Sequence, residues 1–194
     1  DMFSNVSKHS DGKIRVIFTA RMVKEKGVMT LIEAAKKLHS EFCDSAEFLL
    51  CGDLSSNPDG IKKEDLEACC DKSYIQWLGY RSDVKQLLQS SHIMAFPSYY
   101  REGLPLSLIE ACAVGLPIVT CDSIGCRDAV DDGVNGFLVP PRDSDALADK
   151  LKVLFLNKSL REAMGKKGRD KAENEFAIQA VIDKHLAIYR KLIV

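Results

Sequence analysis

Short apolar runs alternate with longer amphipathic stretches along most of the chain. Residues 14–20 (IRVIFTA), 46–51 (AEFLLC), 74–78 (YIQWL), 92–96 (HIMAF), 118–121 (IVTC) and 137–139 (FLV) are bounded by glycine, proline or polar residues. Short apolar runs so punctuated read as strands buried on both faces. Between them the period lengthens. After Gly27, apolar residues Val28, Leu31, Ile32, Ala35 and Leu38 recur at helical spacing. Helices are also expected over 62–71, over 83–90 with Asp83 as its cap, over 104–114 with Pro105 in the first turn, and over 127–130. From Ser144 the chain reads as helical to its end in three pieces, 144–156, 159–176 and 177–192. Alternation at this spacing predicts an α/β fold with one Rossmann-like, doubly wound parallel sheet. No repeat or linker divides it, so residues 14–175 form the domain. A polar leader (1–13) precedes it and a terminal helix (176–194) follows. The apolar side of that helix, Val181, Ile182, His185, Leu186, Tyr189 and Leu192, is expected to pack on the domain's own core rather than to form an exposed patch.

The stretch PSYYREGLPLSLIEACAVGLP (97–117) departs from ordinary amphipathic patterning. Apolar residues cover nearly the whole circumference of its helix, which predicts burial on most sides. The exceptions, Ser107 and Glu110, continue the line of Gly103 at i, i+4, i+7. A carboxylate on a buried helix is costly unless it faces a cleft or has partners. Strand, loop and helix therefore read as one wall of a ligand site, with Ser98 and Glu102 at its mouth and Glu110 further along. The alternative is a helix with one solvated edge and a lone surface glutamate.

Ligands of doubly wound sheets sit outside the carboxyl ends of the strands. The loops falling there are 21–26, the turn at Asp53, Gly79-Tyr80-Arg81, 98–103 and 123–127. Arg21 can grip two phosphate oxygens with its planar guanidinium, and Lys26 adds a compact second charge. Beside the free backbone N–H groups of a helix start at Gly103, Leu104 and Leu106, they would complete a diphosphate cradle. A solvated charge cluster at Lys24, Glu25 and Lys26 is the plainer alternative.

Composition narrows the classes. A net charge of −1 gives no basic face for nucleic acid. The seven cysteines lack paired CxxC spacing and the four histidines are scattered, a reduced, cytosolic pattern without a structural zinc site. No run approaches a membrane span. The start, DMFSNVSKHSDGK, is too polar for a signal peptide and has no initiator methionine at position 1, so the chain reads as a piece of a longer protein. The loop ARMVKEKG has one glycine where a dinucleotide fingerprint needs three, and neither a phosphate-loop motif nor a GxSxG elbow occurs.

The motifs ARMVKEKG (20–27), WLGYRSDV (77–84), FPSYYREGLPLSLIEACAVGLPIV (96–119) and GCRDAVDDGVNGFLVPP (125–141), in this order, resemble the C-terminal half of retaining family 4 (group 1) glycosyltransferases. The resemblance covers nearly the whole chain, and Glu102 and Glu110 stand in the family's E-x7-E spacing. It implies the donor half of a GT-B architecture and a missing N-terminal acceptor domain, to which the terminal helix crosses in relatives. Arg21 and Lys26 would hold the nucleotide diphosphate, Glu102 the donor sugar hydroxyls and Glu110 the ribose. Gly103, Leu104 and Leu106 would meet the distal phosphate, and Gly79, Tyr80 and Arg81 would border the base. No metal or other cofactor is implied, and nucleotide-sugar is the substrate, with UDP-sugars favoured. The implied setting is bacterial capsule, O-antigen or lipid-linked glycan synthesis, by a cytoplasmic protein peripheral to the inner face of the membrane, with the fragment alone inactive. Two departures stand out: Asp128 replaces a glutamate of the family's GxxE, and Leu104 takes a place often aromatic. A UDP-sugar 2-epimerase and a non-catalytic nucleotide-binding module are the rival readings.

Overall fold

The apolar runs become β1 (Ile14–Thr19), β2 (Ala46–Cys51), β3 (Ile75–Gly79), β4 (Ile93–Phe96), β5 (Ile118–Cys121) and β6 (Gly136–Val139). They form a sheet in the order β3-β2-β1-β4-β5-β6, with every neighbouring pair parallel. This is the doubly wound α/β fold expected from the sequence. In the computed structural model, residues 12–55 and 60–192 are described; most of the expected polar leader lies outside them. The helices are α1 (Val28–Phe42), α2 (Lys63–Glu67), α3 (Val84–Ser90), α4 (Leu106–Ala113), α5 (Cys126–Ala129), α6 (Ser144–Leu156), α7 (Lys158–Lys171) and α8 (Ile178–Leu192).

The chain winds outward from β1 through β2 to β3, then crosses back to lay β4 on the other side of β1. The crevice at such a reversal is where these sheets take ligands. Helix α1 lies beside α6, while α4 is flanked by α3 and α7; right-handed crossovers put the two groups on opposite faces. Covered on both faces, β1, β2, β4 and β5 can be apolar almost throughout. Phe18 and Phe96 stack at 5.9 Å between ring centroids across the β1–β4 seam. Lys37–Asp145 at 2.5 Å and Lys152–Glu41 at 2.7 Å link α1 to α6, exposed pairs that add little stability beside the core.

Several local expectations are corrected. Helix α2 stops at Glu67 rather than near 71. The Asp71 carboxylate accepts the backbone N–H groups of Ser73, Tyr74 and Ile75 at 2.7–3.0 Å, a side-chain bracket that competes with helix and launches β3. Asp83 stands at the N-cap of α3 without capping it; its carboxylate is taken by Arg81, through Nε at 2.7 Å and Nη2 at 2.5 Å. Pro105 precedes α4 rather than sitting inside its first turn, with ψ at 128°. Helix α4 is also less enclosed than its composition suggests: Leu108, Ala111 and Cys112 are its buried residues, whereas Leu106 is 67% exposed.

Helix α7 ends in a π turn, Ala172–Phe176. Ala177 is then extended, with ψ at 137°, and this turns α8 away from the sheet. The expected packing of the terminal helix on the core is therefore overturned: Val181, Ile182, Leu186, Tyr189 and Leu192 are all exposed.

Candidate functional site

The loop after β1 sets the first wall. Met22 is fully buried and donates its N–H to the Asp53 carbonyl at 2.8 Å, clamping this loop to the one after β2. Residues Lys24–Lys26 form a 3-10 turn closed by Gly27 in the left-handed region, φ 79° and ψ 15°. A Cβ on Gly27 would lie 2.0 Å from the Pro97 carbonyl oxygen. The glycine therefore lets the β1 loop press directly against the exit of β4.

Contacts across that seam are specific. The Glu25 carbonyl accepts the Tyr99 N–H at 2.9 Å and the Ser98 hydroxyl at 3.3 Å. Lys26 Nζ then reaches both Glu102 carboxylate oxygens, at 2.5 and 2.7 Å. The ammonium also lies 5.5 Å from the Phe96 ring centroid and 5.4 Å from that of Tyr100, cation–π distances. With side chains 14% and 22% exposed, the pair is screened less than a surface ion pair. Two of the candidate residues, Lys26 and Glu102, thus meet at the switch point.

A third loop backs this pair. Ser123, just beyond β5, donates its hydroxyl to the Ser98 carbonyl at 2.8 Å. Gly125 has φ 82°, and a Cβ there would lie 2.4 Å from the Gly103 oxygen and 2.5 Å from that of Glu102. The β5–α5 loop is therefore packed backbone to backbone against the peptide carrying Glu102. Burial pushes the Cys126 thiol up from its ordinary range, leaving it an apolar filler behind Ser98 rather than a nucleophile.

Arg21 is exposed and lines, with Lys26, Tyr100, Ser55 and Gly60, a cleft of about 160 Å³. Among the described residues it makes no ion pair, so its guanidinium is available. At the start of α4, the N–H groups of Gly103, Leu104, Leu106 and Ser107 have no backbone acceptor among the described residues, as a helix start requires. Gly103 and Leu106 are exposed and Leu104 half-buried. Glu110 is half-buried with no side-chain partner among the described residues, and burial pushes its carboxyl above the ordinary value. Gly79 ends β3 and Tyr80 and Arg81 follow it, two strands from β1 and so about 10 Å along the same edge. The Gly79 carbonyl accepts the Gly52 N–H at 2.9 Å, and Tyr80 is 75% exposed. Asp128, the departure noted above, is also exposed.

Sequence reasoning did not single out Gly27 and Gly125 as contact points, Ser123 as an anchor, or Tyr100 as a ring beside the ammonium. The glycines carried a signal, since each ends a loop that must touch another loop in a doubly wound sheet.

Fold and site together define a doubly wound α/β domain whose switch-point crevice presents cations, a fixed carboxylate and unpaired helix N–H groups. The chain belongs to the glycosyl transferases group 1 family, whose model matches residues 2–171. It is 31% identical over 183 residues to N,N'-diacetylbacillosaminyl-diphospho-undecaprenol alpha-1,3-N-acetylgalactosaminyltransferase of Campylobacter jejuni, covering 94% of this chain and 46% of that protein. It is 30% identical over 172 residues to the capsular polysaccharide biosynthesis glycosyltransferase CapM of Staphylococcus aureus, covering 89% of this chain and 44% of that one. Among solved structures, Anabaena HepE in complex with UDP and glucose superposes with a TM-score of 0.77 at 24% identity, over 91% of this chain and 48% of HepE. The chain thus spans about half the length of the relatives it matches. Among the described residues, no helix is long and apolar enough to cross a membrane.

Proposed function

We propose that this chain is the donor-binding half of a retaining glycosyltransferase. It would take a nucleotide-sugar, with UDP-sugars favoured, for transfer to a glycan or lipid-linked acceptor in bacterial surface polysaccharide synthesis. The observation that carries the reading is the Lys26–Glu102 pair at the sheet's switch point, 2.5 and 2.7 Å apart, with Lys26 lining the same cleft as Arg21. HepE is held with UDP and glucose, one relative is named as a transferase of N-acetylgalactosamine to a diphospho-undecaprenol-linked sugar and another for capsular polysaccharide biosynthesis; these facts support the same reading.

Departure of a nucleoside diphosphate from an anomeric carbon leaves oxocarbenium character on the sugar and growing negative charge on the phosphate. Preorganised cations and N–H groups aimed at that charge are the expected main source of acceleration. In this reading Arg21 and Lys26 meet it together with the free N–H groups at the start of α4. Glu102 takes the sugar hydroxyls, Glu110 the ribose and the Gly79–Tyr80–Arg81 turn the base. The acceptor side belongs to an N-terminal domain, so this chain binds donor without turning it over.

Titration calorimetry with UDP, GDP and ADP tests the reading. Each charge-assisted contact contributes roughly 1.5–3 kcal/mol, so Arg21→Ala is expected to weaken UDP binding about 10- to 150-fold. Unchanged affinity refutes the cradle. Glu110→Gln has two expected effects. It should weaken UDP more than pyrophosphate, and equal losses would contradict the ribose role. It should also raise the melting temperature near neutral pH. The folded-state pKa of Glu110 is raised, so stability falls as pH climbs through that pKa, and the amide removes the penalty.

A further inference from the structure

We propose that Glu102 competes with phosphate for Lys26, and that the crevice thereby favours a diphosphate capped by a sugar over the free nucleoside diphosphate. The inference rests on the donor-binding reading above. Both carboxylate oxygens are committed to Lys26, whose ammonium is further enclosed by the Phe96 and Tyr100 rings. A phosphate can approach that ammonium only beside a full negative charge, or by displacing it.

The carboxylate is held in place. Ser98, fully buried, lies 3.4 Å from Glu102 Oε1 through its hydroxyl. Ser98 is in turn fixed by the Ser123 hydroxyl at 2.8 Å and the Glu25 carbonyl at 3.3 Å. The Glu102 backbone cannot retreat, because Gly125 is packed against its carbonyl. Two ligands meet this fixed charge differently. A diphosphate esterified at both ends carries two negative charges. A free terminal phosphate has a second ionisation near pH 6 and carries close to one charge more at neutral pH. The carboxylate opposes the more highly charged species, whereas a sugar brings hydroxyl donors that the carboxylate can accept. Glu102 then acts as a specificity residue that lowers affinity for the spent nucleotide and speeds its release.

The probes are UDP, its β-methyl ester, which has the donor's charge without a sugar, and uridine. The wild-type chain is expected to bind the ester at least as tightly as UDP. Glu102→Gln and Glu102→Ala are each expected to bind UDP about 5- to 30-fold tighter than wild type, with uridine unchanged. Unchanged or weaker UDP binding in the variants overturns the proposal, as does an equal gain for uridine. A wild-type preference for UDP over the ester of more than about tenfold overturns it without any variant. Failure of the wild-type chain to bind either nucleotide removes the donor-binding reading itself, a separate result.

Discussion

Gly27→Ala is expected to lower stability by about 3–4 kcal/mol and the melting temperature by roughly 6–15 °C. Two costs act at one atom. Gly27 sits at φ 79°, where an L side chain is strained by about 1–2 kcal/mol. The new methyl would also lie 2.0 Å from the Pro97 carbonyl oxygen and 2.6 Å from its carbon. Those are backbone atoms at the end of β4, held by the sheet and unable to swing aside like the tip of a flexible side chain. Relief requires the β1 loop to lift away from β4, which breaks the Tyr99 N–H bond to Glu25 and separates Lys26 from Glu102. The variant should therefore weaken UDP binding, less than loss of the Lys26 ammonium does, together with stability. Gly133→Ala is the control, since a Cβ there meets nothing within 4 Å although its φ is also positive at 75°. Thermal melts showing equal losses for the two substitutions would place the cost in backbone conformation and not in the seam.

The contrast between these glycines explains how much of the molecule was legible in the chain. Strand runs such as AEFLLC announce themselves because a strand buried on both faces must be apolar throughout, and β2 has the expected bounds. The strand–helix alternation then fixed the sheet type, and the sheet type fixed which loops converge. That logic was enough to bring Lys26 and Glu102 together from positions 76 residues apart. It could not decide what a side chain does at short range. Asp83 has the right place for a cap, but Arg81 offered a bidentate partner two residues away. Leu106 looks buried by composition but stands exposed at the first position of α4. The terminal helix has a well-formed apolar side, and periodicity records that such a side exists without naming what covers it. Ser123 was invisible for a related reason: its value lies in approach to a loop remote in sequence.

Lys26→Ala should be the most damaging single change for ligand binding, weakening UDP by about 10²- to 10³-fold, more than Arg21→Ala. Arg21 is exposed and without an ion-pair partner among the described residues, so its removal deletes one contact. Lys26 is paired, and its removal does two things at once. The phosphate loses an ammonium, and Glu102 is left with Ser98 as its remaining side-chain partner, an uncompensated negative charge in the path of an anion. The two effects separate in a double-mutant cycle. Lys26→Ala combined with Glu102→Gln removes the orphaned charge, and should bind UDP better than Lys26→Ala alone while still falling short of wild type. The gain from Glu102→Gln should be larger in the Lys26→Ala background, where the charge is orphaned, than in wild type; an equal gain in both backgrounds would mean that the pair observed without ligand has no part in recognition. A loss below about threefold for Lys26→Ala would place the diphosphate elsewhere, and the crevice between β1 and β4 would then need another ligand.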